Sequence, residues 1–151
     1  MGVRIDEEEA WARVAASHTA ILATLRKDGS PTAIPMWFAI VDGAICMRTA
    51  AASAKVGHVR RDPRVTVLVE AGEQWIELRA VIVRGTATLV DDPAEKERID
   101  AAVDAKYADH APPDDLPAGA KAYLQTERAH LRIVPDGPLV TWDNRRIRRS
   151  G

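Results

Sequence analysis

Two Asp-Gly pairs, Asp28-Gly29 and Asp42-Gly43, constrain this chain more than any other feature. Each lies between apolar, β-prone runs, and Asp-Gly supplies the positive φ that a tight hairpin turn needs. The runs are residues 19–25 (TAILATL), 32–41 (TAIPMWFAIV) and 44–49 (AICMRT). The pattern predicts three consecutive antiparallel strands joined as a meander. Pro35 inside the second run has no amide to donate, so an edge, a bulge or an unpaired position is expected there.

The rest of the chain adds strands and a few helices. Asp6-Glu7-Glu8-Glu9 places carboxylates in the first turn of a helix ending near Ser17-His18, where the macrodipole favours them. Trp11, Val14 and Ala15 have helical spacing and mark its inward face. A short helix is expected over about 54–61, stopped before Pro63. Residues 64–70 (RVTVLVE) and 74–90 (QWIELRAVIVRGTATLV) read as strands, and Gly85 within the second indicates a bulge or a close backbone approach. Asp92-Pro93 opens a helix to about Ala108, with a loop over 109–117 and a short helix over 118–126. Residues 130–134 (HLRIV) and 139–142 (LVTW) close the sheet. The reading is mainly β: an antiparallel sheet of six or seven strands with three or four flanking helices, of the kind that closes into a barrel to remove its edges.

At 151 residues the chain has the length of one domain. Residues 1–144 are read as that domain and 145–151, with Arg145, Arg146, Arg148 and Arg149, as a basic flexible tail. Cys46 is the lone cysteine, so no intramolecular disulfide is possible. The N-terminus lacks the pattern of a signal peptide, and no apolar run reaches the ~18 residues of a membrane span. The expectation is a soluble cytoplasmic protein.

Several chemistries lack their sequence signatures. His18, His58, His110 and His130 show none of the spacings that set two metal ligands on one face, so no metal is expected. There is no Gly-x-Ser-x-Gly elbow, and Cys46 lies inside a strand pattern, where it reads as a small hydrophobe. No Walker loop and no Gly-x-Gly-x-x-Gly occur. The Arg145–Arg149 cluster is read as solubilising rather than as a nucleic-acid contact.

The net charge of −1 conceals segregation. Residues 48–64 carry a local +4 from Arg48, Lys55, Arg60, Arg61 and Arg64 against Asp62, whereas residues 91–115 carry a local −6. The basic segment has the parts of a phosphate site. Thr49 and Ser53 offer hydroxyls, Lys55 an ammonium, Arg48 and Arg60 guanidinium forks, and a helix beginning near Ser53 adds free amides.

The order of these pieces resembles the pyridoxamine 5'-phosphate oxidase-like superfamily of flavin and deazaflavin oxidoreductases. The resemblance is carried by Ala20–Leu25 with Asp28-Gly29-Ser30-Pro31, and by Pro35-Met36-Trp37-Phe38 with Asp42-Gly43. It continues through Arg48-Thr49, Ser53-Ala54-Lys55, Arg60-Arg61-Asp62-Pro63, Val83-Arg84-Gly85-Thr86-Ala87 and Val140-Thr141-Trp142-Asp143. It implies a split β-barrel homodimer with a cofactor, coenzyme F420 or FMN, in each of two clefts between subunits. By the same resemblance Thr49, Ser53 and Lys55, with Arg48 and Arg60, hold the cofactor phosphate, and Pro35, Met36 and Trp37 run along its ring. Gln74 or Trp75 reaches the ring from the partner, and Trp142 lines the cleft or packs in the core or dimer interface. The implied activity is hydride transfer to or from a small unsaturated or conjugated substrate, the cofactor carrying the chemistry. The alternative within the same superfamily is a non-catalytic flavin or tetrapyrrole (haem or biliverdin) binder. Gly57-His58-Val59 stands where the family often has Asn-Leu, and the C-terminus differs from that of true pyridoxamine phosphate oxidases, so the pattern more closely resembles the branch that uses coenzyme F420.

Overall fold

The computed structural model describes residues 3–147. Among these residues four helices, α1 (Glu7–Ala16), α2 (Ala54–Arg61), α3 (Pro93–Lys106) and α4 (Ala118–Leu124), flank eight strands. The strands are β1 (Ala20–Leu25), β2 (Pro31–Met36), β3 (Ala39–Val41), β4 (Ala44–Ala50), β5 (Arg64–Ala71), β6 (Arg79–Leu89), β7 (Arg128–Pro135) and β8 (Val140–Asp143). All pairings are antiparallel, and the sheet runs β2-β1-β5-β6-β7-β4-β3. β8 pairs with the first half of β6, and β7 with its second half. The mainly β, split-barrel architecture expected from the sequence is therefore present.

The Asp28-Gly29 and Asp42-Gly43 turns form hairpins, with Gly29 at φ 84° and Gly43 at φ 75°. The meander does not form. The run 32–41 is two strands: β2 pairs with β1 at one edge of the sheet, and β3 pairs with β4 at the other. Trp37 and Phe38 carry the chain across. Phe38 is fully buried and its amide donates to the Tyr107 hydroxyl at 3.0 Å instead of to a neighbouring strand. Pro35 sits on edge strand β2, where a missing donor costs no ladder bond.

The strand expected over 74–90 begins only at Arg79, because residues 75–77 make a 3-10 turn closed by a capping box between Gln74 and Glu77. Gly85 is the close approach its position indicated: a Cβ there would lie 2.4 Å from the Val134 carbonyl oxygen. On α1, Asp6 caps the Glu9 amide, and Ala10 and Val14 are buried; Ala15, expected inward, is exposed.

Two apolar clusters hold the fold. Leu22, Phe38, Ile45, Met47, Val67, Val83, Leu131 and Ile133 fill the barrel. Ala39, Val41, Ala44, Cys46, Val90, Ile99, Val103 and Tyr107 seal α3 onto β3 and β4. β4 thus buries both faces, since alternate residues point to opposite sides. Burial also pushes the Cys46 thiol up to about 11, as an inert core position requires. No helix among the described residues is long and apolar enough to cross a membrane.

Arg145 and Arg146, read as the start of a flexible tail, form a 3-10 turn with Asn144. Arg145 pairs with Asp143, and Arg146 with Glu9 of α1. These two ion pairs hold the turn against Asp143 and α1. Arg148 and Arg149 lie outside the described residues.

Candidate functional site

The helix after β4 is phased by its valines. Val56 and Val59 are buried against the sheet, which turns Arg60 outward to solvent and leaves Lys55 half-buried. His58 fixes the same helix to β1 through Nδ1 and the Thr24 hydroxyl, 2.9 Å apart. Lys55 Nζ then donates to the buried Thr49 Oγ1 at 2.9 Å, and burial lowers the pKa of its amine. Ser53, on the turn between them, keeps its Oγ buried with no hydrogen-bond partner among the described residues.

These residues open onto a cleft of about 380 Å³, within the range of small-molecule sites. Ile34, Pro35, Met36 and Trp37 form one wall and Arg48, Thr49, Ala50 and Lys55 another; Tyr123, Leu124, Thr126 and Arg128 line the remainder. Six of the expected residues, Pro35, Met36, Trp37, Arg48, Thr49 and Lys55, are therefore brought together. Ser53 adjoins them without lining the cleft, and Arg60 does not line it.

Arg48 differs from its expected role. Its guanidinium is held by Asp100 at 3.0 Å and by Asp104, both on α3. Burial works against its charge, but the two carboxylates more than restore it. Asp100 also meets His130 Nε2 at 2.9 Å, and His130 faces Arg48 across the β4–β7 ladder. The acidic and basic segments of the sequence neutralise each other here, so Arg48 is a strut for α3 rather than a free anion ligand. Lys55 and Arg128 are the cations of the cleft without a carboxylate partner among the described residues.

Trp37 is braced from behind. Tyr107 stacks on it, and His18 lies edge-on to both rings. Tyr107, Tyr123, Leu124, Thr126 and Arg128 were not singled out in the sequence, and His18 only as a histidine without metal-ligand spacing, because they belong to no local motif and reach the site only through the fold.

Gln74, Trp75 and Trp142 stand apart from this cleft within one chain. Trp75 is 65% exposed on its 3-10 turn, and Trp142 is 49% exposed on β8, beside Ile5, Leu139 and Val140. A separate hollow between the end of α1 and β5–β6 is lined by Arg13, Arg79, Glu70 and His18 and contains none of the expected residues. Among the described residues no cluster of three or more His, Cys, Asp or Glu side chains is placed to hold a metal ion.

Comparison with known proteins matches this architecture. The family model described as pyridoxamine 5'-phosphate oxidase matches residues 6–136. The structure is similar to that of a conserved hypothetical protein from Mycobacterium tuberculosis, with a TM-score of 0.81 and 34% identity over 97% of this chain and 89% of that one. It also resembles an FAD-binding protein from Mesorhizobium loti, with a TM-score of 0.71 and 21% identity over 93% and 97% of the two chains. A third similar structure is a haem storage protein from Vibrio cholerae, with a TM-score of 0.70 and 15% identity over 90% and 94%. At those two lower identities the likeness is one of fold. No curated protein matches the sequence at a significant level.

Proposed function

The chain belongs to the pyridoxamine 5'-phosphate oxidase family, and from that premise we propose that it is a flavin- or deazaflavin-dependent oxidoreductase using FMN or coenzyme F420. One observation carries the reading: Lys55, Thr49 and the unpartnered Ser53 hydroxyl gather beside the cleft that Pro35, Met36 and Trp37 wall. A half-buried amine and an orphaned hydroxyl donor are incomplete by themselves and suit an anionic group. The cofactor, when bound, supplies hydride transfer to or from a small unsaturated or conjugated substrate. The chain's own part is to hold the anionic end with Lys55, Thr49, Ser53 and Arg128, and to orient the ring along Pro35–Trp37. The braced Trp37 keeps that wall fixed, and the apolar wall excludes water.

The protein acts as a homodimer in this reading. Trp75, Leu78, Val140, Trp142 and Ile147 are all exposed, on β8 and on the 3-10 turns that precede β6 and follow β8. Their burial against a second copy would supply the apolar contact a dimer needs and set Gln74, Trp75 and Trp142 beside the partner's cleft.

Absorption titration with FMN, coenzyme F420, haem and biliverdin tests the proposal. Saturable binding of FMN or coenzyme F420, weakened about 10- to 150-fold by Lys55→Ala, is expected for loss of a charged hydrogen bond. Binding of haem or biliverdin alone, with no reduction of any acceptor in stopped-flow, would establish the non-catalytic carrier instead. Sedimentation at several concentrations tests the dimer, and a monomer throughout would remove it.

A further inference from the structure

Helix α4 is unusual among the helices of this protein because it buries none of its residues. It follows the Pro-rich loop 111–117, its N-terminal Pro117 makes no side-chain cap, and it ends in a turn at Gln125 and Thr126. Alone, seven residues are too few to hold a helix in water. Its two large apolar side chains stand in the open: Tyr123 is 58% exposed and Leu124 38%. Both line the cleft that contains Lys55, Arg128 and Trp37. The cleft therefore has two cations without carboxylate partners among the described residues, one apolar wall fixed by β2, and a second apolar wall on the least anchored helix of the fold.

That division matches a ligand with an anionic end and an apolar planar body. We propose that α4 is a lid, and that Tyr123 and Leu124 close on the planar body of the ligand whose anionic end is held by Lys55 and Arg128. In this role the two residues determine which ring systems the cleft accepts. The proposal rests on the cofactor-binding reading above and adds to it the element that moves and the side chains that select. Tyr123 suits the task, since an aromatic face gains from stacking on a flat ring while its hydroxyl stays in water. Ligand contact would give α4 the buried face it lacks, so opening and closing would follow ligand binding.

The test uses the full chain with FMN as the probe and two independent readouts. The first is FMN affinity by fluorescence titration for wild type, Tyr123→Ala, Leu124→Ala and Lys55→Ala. The second is trypsin cleavage after the exposed Lys121 on α4, followed by mass spectrometry with and without saturating FMN. A lid predicts that FMN slows cleavage at Lys121 and that Tyr123→Ala weakens FMN by about three- to tenfold. It also predicts that Tyr123→Ala leaves the sedimentation coefficient of the free protein unchanged. FMN that binds wild type and is lost in Lys55→Ala, yet leaves Lys121 unprotected and Tyr123→Ala at wild-type affinity, would overturn the lid and keep the site. Conversion of Tyr123→Ala to a smaller species would overturn it in favour of a subunit contact. If FMN does not bind wild type, coenzyme F420 takes its place in the same two assays, and failure of both to bind would overturn both readings.

Discussion

Tyr107 lies flat against Trp37, with ring centroids 4.1 Å apart and planes 3° from parallel. Its hydroxyl donates to the His18 carbonyl oxygen at 2.6 Å and accepts the Phe38 amide at 3.0 Å. One side chain at the end of α3 thus secures the segment where the chain passes from one edge of the sheet to the other. Tyr107→Phe keeps the stack and removes the hydroxyl, leaving the buried Phe38 amide without its partner. A loss of about 1–3 kcal/mol in urea unfolding is expected, with a smaller change in FMN affinity. Tyr107→Ala removes the backing of Trp37 as well and is expected to weaken both.

Arg48 and Lys55 separate strut from ligand. Arg48→Met frees Asp100 and Asp104 and is expected to cost about 1 kcal/mol, because the carboxylates are partly exposed. FMN affinity should fall far less than in Lys55→Ala. Equal losses of affinity in the two variants would return Arg48 to the anion site.

Asp143 ties the C-terminal turn to α1. Its side chain is 1% exposed and receives Arg145 and Arg13, each at 2.8 Å. The Arg145 guanidinium, with Arg13, holds its carboxyl well below the usual range against the opposing effect of burial. A carboxylate with a depressed native pKa stabilises the fold above its unfolded value, near 4, and loses that contribution as pH falls below it. Asp143→Asn is therefore expected to cost about 3 kcal/mol at neutral pH, and the gap to wild type should close toward pH 2. Thermal unfolding of both proteins across that range checks it.

Lys106 has its Nζ buried without a hydrogen bond to any described residue, 3.5 Å above the Phe38 ring. Burial pushes the amine down to about 8 from its ordinary 10.5. The native state therefore releases its proton before the unfolded chain does, and stability attributable to this group rises between about pH 8 and 10.5. Lys106→Met is expected to raise Tm at pH 7, and that advantage should shrink by pH 10. An advantage independent of pH would show that the ring face compensates the buried charge.

Much of the architecture was legible locally. Asp28-Gly29 and Asp42-Gly43 located both hairpins, Pro35 located an edge strand, and Gly85 located a close approach. The cleft was legible in part: Pro35 and Met36 on β2, Trp37 just after it, Arg48 and Thr49 on β4 and Lys55 on α2 line one hollow. The remaining walls come from α4 and the start of β7, which carry no sequence motif of their own. The continuous apolar run 32–41 concealed a change of sheet edge, because its pattern is the same whether one strand or two pass through the core.

By itself the sequence determined the Asp28-Gly29 and Asp42-Gly43 turns and the helix starts, which depend on residues a few positions apart. Tertiary structure alone decided which strands became neighbours and which charges remained free. Arg48 reads in the sequence as an anion ligand, yet Asp100 and Asp104 approach it from 52 and 56 residues away and neutralise it. Coulomb attraction and ring stacking act over a few ångströms of space, and only the folded sheet brings Arg48 to α3 and Trp37 to Tyr107.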